Sequence, residues 1–185
     1  PIEAASRFEC EPPTMEDAYF RDEDKVRKAF MYADDPIDEE GRFHKWFNST
    51  DGHRRFIHID LGFKRDRTAL CMSHCSGFKE IVTSIGVETL PIINVDLVHS
   101  WKAAPGEEIN FASVRQLIVD LCKKFDVAKV TFDRWQSIEM IQSLRAQGIN
   151  ADFHSVKKTD YDTLMTSIYD TRLRGYWNSI LVEEE

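Results

Sequence analysis

Two apolar, β-rich runs in this 185-residue chain end on a carboxylate: "FIHID" closes on Asp60 and "VTFD" on Asp133. A lone aspartate at a strand end is an ordinary turn former or helix N-cap, and Asp133 does precede a helical pattern. Two of them at the ends of neighbouring strands have a different consequence. Side by side, two carboxylates repel and each is driven toward its protonated form. A divalent cation removes that penalty. All-oxygen ligands suit Mg²⁺ or Mn²⁺, which keep several waters and take one or two protein carboxylates together with phosphate oxygens. Two such ions ~3.5–4 Å apart activate a water and stabilise a leaving 3′ oxygen in phosphodiester hydrolysis. Asp60 and Asp133 are therefore the candidate catalytic metal ligands.

Cations crowd the same stretches. Lys64, Arg65 and Arg67 follow Asp60 with Asp66 among them, Arg134 follows Asp133, and Lys157 and Lys158 lie further on. Such side chains hold nucleic-acid phosphates without reading sequence. Trp135 reads as a packing residue, and Gln136 or Ser137 as fixing the start of a helix or orienting a metal-bound water. His58 shares a strand face with Asp60. A histidine near metals can act as a general base, but a buried, hydrogen-bonded strand histidine is the plainer reading. Cys71 and Cys75 with His74 between them hint at a metal, yet both cysteines fall on one strand, where a free thiol packs as a small apolar group. No zinc site is assigned to them, and all four cysteines, Cys10 and Cys122 included, are read as reduced.

The elements that position these residues begin near residue 54. "RRFIHID" alternates, with Phe56, His58 and Asp60 on one face and Ile57 and Ile59 on the other. "TALCMSHCSG" predicts a second strand, "FKEIVTSIGVETL" a third and "PIINVDLVHSWKA" another, with short connections that favour an antiparallel meander. The period then changes. Phe111, Val114, Leu117, Ile118, Leu121, Cys122 and Phe125 make one apolar stripe, an amphipathic helix. "VAKVTFD" is a short buried strand. "RWQSIEMIQSLRAQG" is a helix with Ile138, Ile141 and Leu144 inward and Gly148 as its stop. "INADFHSV" is a strand on which Phe153 and His154 are core and edge residues. "TDYDTLMTSIYDTRLRG" is a helix capped by Thr159 or Asp160 and ended by Gly175. Antiparallel strands first and helix-joined strands later predict an α/β fold, a mixed central sheet flanked by helices. The domain division is 1–50, a linker or subdomain segment anchored by Trp46 and Phe47, and 51–185, the main domain.

Composition agrees with a globular domain: 42% hydrophobic and 30% charged residues. The formal net charge of −8 is uneven, with 13 acids against 7 bases in residues 1–50. That argues against a protein that coats nucleic acid indiscriminately, but leaves room for a local basic groove. No apolar run approaches the ~20 residues that span a bilayer, so no membrane partner is expected. The N-terminus has neither an initiator Met nor a signal-peptide pattern, which marks a fragment or processed chain.

Taken together, "FIHIDLGFKRDRTAL", "VAKVTFDRWQSIEMIQSLRAQG" and "HSVKKTDYDTLMTSIYDTRLRG" resemble the C-terminal nuclease domain of viral terminase large subunits, the motor-nucleases of tailed bacteriophages. The resemblance covers about residues 54–182, and "SRFECEPP" looks like the segment that links the ATPase domain to the nuclease. It implies an RNase H-like fold, Asp60 and Asp133 as metal ligands, and Asp66 as an additional acid near the metals. It further implies a metal-dependent endonuclease that cuts concatemeric double-stranded DNA with two Mg²⁺ or Mn²⁺ ions. The implied partners are an ATPase domain in the same polypeptide, a portal protein and a small terminase subunit, at the viral procapsid in the host cytoplasm. In that family a third metal carboxylate comes from a motif beyond the last helix, and this chain stops at "ILVEEE" before any such motif. The polypeptide is therefore expected to continue. Glu183, Glu184 and Glu185 read as a solvated run, and Glu108, ahead of a helix as in other RNase H-like enzymes, is a minor rival ligand.

Two other readings compete. "IDLGFKRDRTA" also resembles the first phosphate loop of actin-like ATPases, but those need a second such domain and a Gly-rich adenosine loop, and the 8 glycines here form no cluster. No Gly-x-x-x-x-Gly-Lys-Ser/Thr loop is present either. The non-enzymatic reading is a docking fragment of the packaging motor that binds portal or capsid.

Overall fold

The computed structural model describes residues 19–62, 67–84, 86–104, 107–133 and 137–178. Its centre is a six-stranded mixed sheet, ordered β5-β4-β1-β2-β3-β6. β1 (Arg55–Asp60), β2 (Thr68–Thr83) and β3 (Gly86–Trp101) form an antiparallel meander, whereas β4 (Val127–Phe132) and β5 (Ala151–Phe153) continue the sheet in parallel beyond β1. β6 (Leu173–Arg174) adds a short parallel strand to the far edge of β3. The antiparallel-then-parallel arrangement is the one that the order of elements predicts.

One face of the sheet carries the core. Ile57, Ile59, Leu70, Met72, Leu97, Val130 and Phe132 pack against Val114, Ile118 and Leu121 of α2 (Phe111–Lys124) and against Met140, Ile141 and Leu144 of α3 (Ile138–Ala146). Asn110 starts α2 by accepting a hydrogen bond from the Ala112 amide. α3 ends at Gly148, whose φ of 78° lets its own N–H reach Arg145 O and the next N–H reach Leu144 O. That pair of bonds satisfies two carbonyls the helix end would otherwise leave open.

A second, smaller cluster covers the β3–β6 edge. Here α1 (Glu23–Ala29) and α4 (Lys158–Tyr169) bring together Ala29, Phe30, Ile168 and Leu173, with Ile93 and Val95 of β3 beneath. Residues 19–50 are thus attached at two places. α1 sits on α4, and Phe43 and Phe47 enter the main core beside Phe125.

Several local expectations are corrected. The three antiparallel runs predicted after β1 are two long strands. Gly77 and Pro91, read as breaks, lie nearly opposite each other inside the β2–β3 ladder, and the real turn joins Thr83 to Gly86, whose φ is 143°. Trp46 is 53% exposed and Phe47 alone is the anchor. Ile138 is 50% exposed, because the inward face of α3 runs through Met140, Ile141 and Leu144. Phe153 is exposed at the end of the edge strand β5, beyond the cover of α3. α4 starts after Lys157, whose N–H is accepted by Asp160, and ends at Asp170 rather than Gly175.

Candidate active site

β1 and β4 lie side by side and point the same way, so their C-terminal ends coincide. Ile59 and Phe132 are partners in the register, and the Asp133 N–H donates to Ile59 O at 3.3 Å. Asp60 and Asp133 are the next residues on each strand, adjacent at one sheet edge. Alternation places them on the face opposite the core, shared with His58 and Thr131. Both aspartates are half-buried. The Asp133 carboxylate is fixed from the β5–α4 connection, where the Val156 N–H donates to its Oδ1 at 3.0 Å.

A short relay lies behind the two acids. The Thr131 hydroxyl donates to Ile57 O at 3.2 Å, which spends its one proton, so its lone pair accepts from His58 Nδ1 at 2.8 Å. Neutral His58 is therefore protonated on Nδ1 and carries its lone pair on Nε2. Burial pushes the His58 pKa below its ordinary value, while the Asp133 carboxylate and, more weakly, that of Asp60 pull it back up. His154, at the end of β5, meets His58 edge to face at 6.3 Å between ring centres.

The connection from Asp60 to β2 is pinned at its base, where Gly62 N–H donates to the hydroxyl of the fully buried Thr68 at 3.1 Å. Next to it, Arg67 is exposed, and Ala69 pairs with Asp60. Lys157 and Lys158 are exposed at the start of α4, directly after the loop that holds Asp133. Ser137 is fully buried at the N-cap position of α3. Glu107 and Glu108 are exposed ahead of α2. Lys64, Arg65, Asp66, Arg134, Trp135, Gln136 and Glu183 to Glu185 lie outside the described residues.

Sequence reasoning missed the partners of these groups: Thr131 for His58, the Val156 amide for Asp133 and Thr68 for Gly62. The period-2 alternation of β4 does put Thr131 on the face of Asp133, and that was the available signal. It also missed a polar cluster at the opposite end of β1, where Asp51, His53 and His74 each bring one ligand atom within 4.8 Å of the others. In the sequence His74 lies between Cys71 and Cys75, but neither thiol joins it. Instead the Cys71 thiol is raised to about 11 by burial, and the Cys75 thiol donates to Gly77 O.

This sheet has the fold of solved phage large terminase nuclease domains. Among solved structures, the HK97 bacteriophage large terminase superposes with a TM-score of 0.58 at 16% identity, over 88% of this chain and 35% of that one. The large terminase nuclease domain of Thermus phage P74-26 gives 0.57 at 15%, over 88% of this chain and 75% of that one. The nuclease of thermophilic phage G20c, solved with bound magnesium, gives 0.54 at 14%, over 90% and 77%. A curated relative, "Uncharacterized protein MJ0330" of Methanocaldococcus jannaschii, is 29% identical over 161 residues, 81% of this chain. The chain spans only 26% of that relative's length. No protein-family description matches the chain.

Proposed function

We propose that this chain is the nuclease domain of a viral DNA-packaging motor, a metal-dependent endonuclease acting on double-stranded DNA. The observation that carries the reading is the adjacency of Asp60 and Asp133 at the C-terminal ends of two parallel strands, in a fold shared with terminase nucleases. Their donor atoms are hard carboxylate oxygens on a rigid sheet edge, which fit Mg²⁺ or Mn²⁺, and one of the similar nucleases was solved with magnesium. When bound, such ions supply a nucleophilic water and charge stabilisation at the leaving oxygen.

The chain's own groups do the rest. Asp60 and Asp133 hold the cations at a fixed point, and Val156 keeps Asp133 from rotating away. Arg67, Lys157 and Lys158 meet backbone phosphates on either side of the acids, which orients the duplex without sequence preference. Lys64, Arg65 and Arg134 are assigned to the same phosphate contacts, Asp66 to an accessory acid, and Gln136 and Ser137 to holding the start of α3. A third carboxylate, as the family resemblance implies, would come from a longer polypeptide. ATP-driven translocation, docking to portal and small terminase subunit, and a location at the procapsid in the host cytoplasm are proposed for that whole protein.

A plasmid-nicking assay tests the reading. Cutting is expected with Mn²⁺ or Mg²⁺, abolished by EDTA, and reduced to background by Asp60→Ala or Asp133→Ala. Full activity in either variant would refute the site. Tight portal binding by a chain that never cuts, even when extended, would favour the docking fragment instead.

A further inference from the structure

The sheet face that carries the two aspartates also carries a histidine whose ring is held at one nitrogen and open at the other. His58 stands two residues before Asp60 on β1, Thr131 stands two before Asp133 on β4, and the two are partners in the register. The ring therefore lies in the row directly behind the acids. It is half-buried, so it keeps a path to whatever binds at the edge.

Its orientation is fixed from two sides. Nδ1–H donates to the Thr131 hydroxyl at 2.8 Å, and that hydroxyl spends its own proton on Ile57 O. The His154 ring meets it edge to face, and His154 is itself tied down, with its backbone N–H donating to Phe132 O and its Nε2 standing 3.8 Å from Asp160. The His58 ring cannot turn over and exchange its nitrogens without breaking the Thr131 bond. Nε2 is left with a lone pair, and no described residue donates to it.

A structural role explains Nδ1 and leaves Nε2 without a purpose. Direct ligation of a cation does not fit either. Among the described residues, only Asp51, His53 and His74 bring three such ligand atoms within 4.8 Å of one another, so His58 does not converge with Asp60 and Asp133 that closely. The ring stands back from the acids, yet near enough for both carboxylates to act on its charge. Hard divalent ions keep several of their waters, and each such water has hydrogens to donate. Arg67, Lys157 and Lys158 can only donate as well. A neutral imidazole lone pair is the complement such a water needs.

We propose that His58 orients the attacking water of the candidate nuclease site: its Nε2 accepts a hydrogen bond from water held by the cation at Asp60 and Asp133, and Thr131 is the positioning residue that keeps Nε2 the acceptor. The inference rests on the proposed nuclease reading. Holding one hydrogen of the water fixes where its oxygen lone pair points, and a misplacement of about 1 Å costs about 10²-fold in rate. The role is one of aim: a hydrogen bond forms and no covalent bond changes.

Asparagine and glutamine separate the two nitrogens. His58→Asn keeps an amide donor for Thr131 near the place of Nδ1 and removes the acceptor, whereas His58→Gln carries an amide oxygen out toward the place of Nε2. In the full chain, His58→Asn is expected to keep its Tm, its KM for plasmid DNA and its Mn²⁺ affinity, read by the EPR signal of free Mn²⁺, while kcat falls about 10²-fold. His58→Gln recovers part of that loss. Wild-type kcat in His58→Asn overturns the proposal and leaves the two aspartates standing, whereas retained cutting in Asp60→Ala or Asp133→Ala removes the nuclease reading itself. Imidazole ¹⁵N NMR of the wild type supplies a readout that needs no cutting. Nδ1 is expected to be protonated and Nε2 bare, and Mg²⁺ is expected to move the Nε2 signal in the wild type but not in Asp133→Asn. A neutral ring with its proton on Nε2, or an Nε2 signal unmoved by Mg²⁺, overturns the proposal, and this decides the matter if His58→Asn fails to fold.

Discussion

At the scale of single residues, the groups behind the acids have measurable jobs. Thr131 both donates to Ile57 O and accepts from His58. Thr131→Val keeps the shape and β preference but strands the His58 Nδ1–H. A stability loss of about 1 kcal/mol is expected by urea denaturation, with nuclease activity reduced as His58 reorients beside Asp133. His99 offers a test in pH. Burial lowers its pKa in the folded protein, so as pH falls through about 6.5 the unfolded chain takes up a proton before the native one does. The stability associated with neutral His99 is complete above that range and declines below it. His99→Gln is expected to flatten this part of the profile, read as the difference between urea midpoints at pH 7.5 and 5.5. Asp60 and Asp133 stood out in the sequence because each ends an apolar run. Thr131 and Val156 did not, since a polar contact between residues 23 to 74 apart leaves no trace in local spacing.

Among the elements, the strands and helices with a clear period were readable, and what misled was punctuation. Gly77 and Pro91 look like breaks, yet the ladder absorbs both because β2 and β3 are long enough to pair on either side of them. The true turn at Thr83–Gly86 carries none of the Asn-Gly or Asp-Gly chemistry that announces a hairpin. Gly175 was read as a helix stop, and its function is steric. A Cβ there would lie 2.8 Å from Cδ1 of the buried Phe30, and the Gly175 N–H donates to Ala29 O at 2.7 Å. The residue lets the end of α1 lie against the chain just after β6. Gly175→Ala should cost about 1–3 kcal/mol and expose α1 to proteolysis. Phe30→Leu combined with it should recover part of the loss, a coupling that a double-mutant cycle measures.

For the whole molecule, the proposed DNA substrate requires of an acidic protein of net charge −8 a local surface unlike its average. Arg67, Lys157 and Lys158 border the candidate edge, so the charge that matters is theirs and not the total. Lys157→Glu with Lys158→Glu is expected to weaken DNA binding roughly uniformly across sequences and to reduce the salt slope by about 2, one for each phosphate contact. Fluorescence anisotropy over a salt series checks it. The sheet order has one more consequence. β1 is clamped by a parallel neighbour on one side and an antiparallel one on the other, with Asp60 at the tip. A tug on Asp60 along the strand is resisted by both ladders in shear, with every bond sharing the load, whereas the two-residue β6 at the rim can unzip bond by bond. On the proposed function, a cutting edge that must hold while a motor pulls on its substrate gains most from a place in the middle of the sheet, where β1 lies.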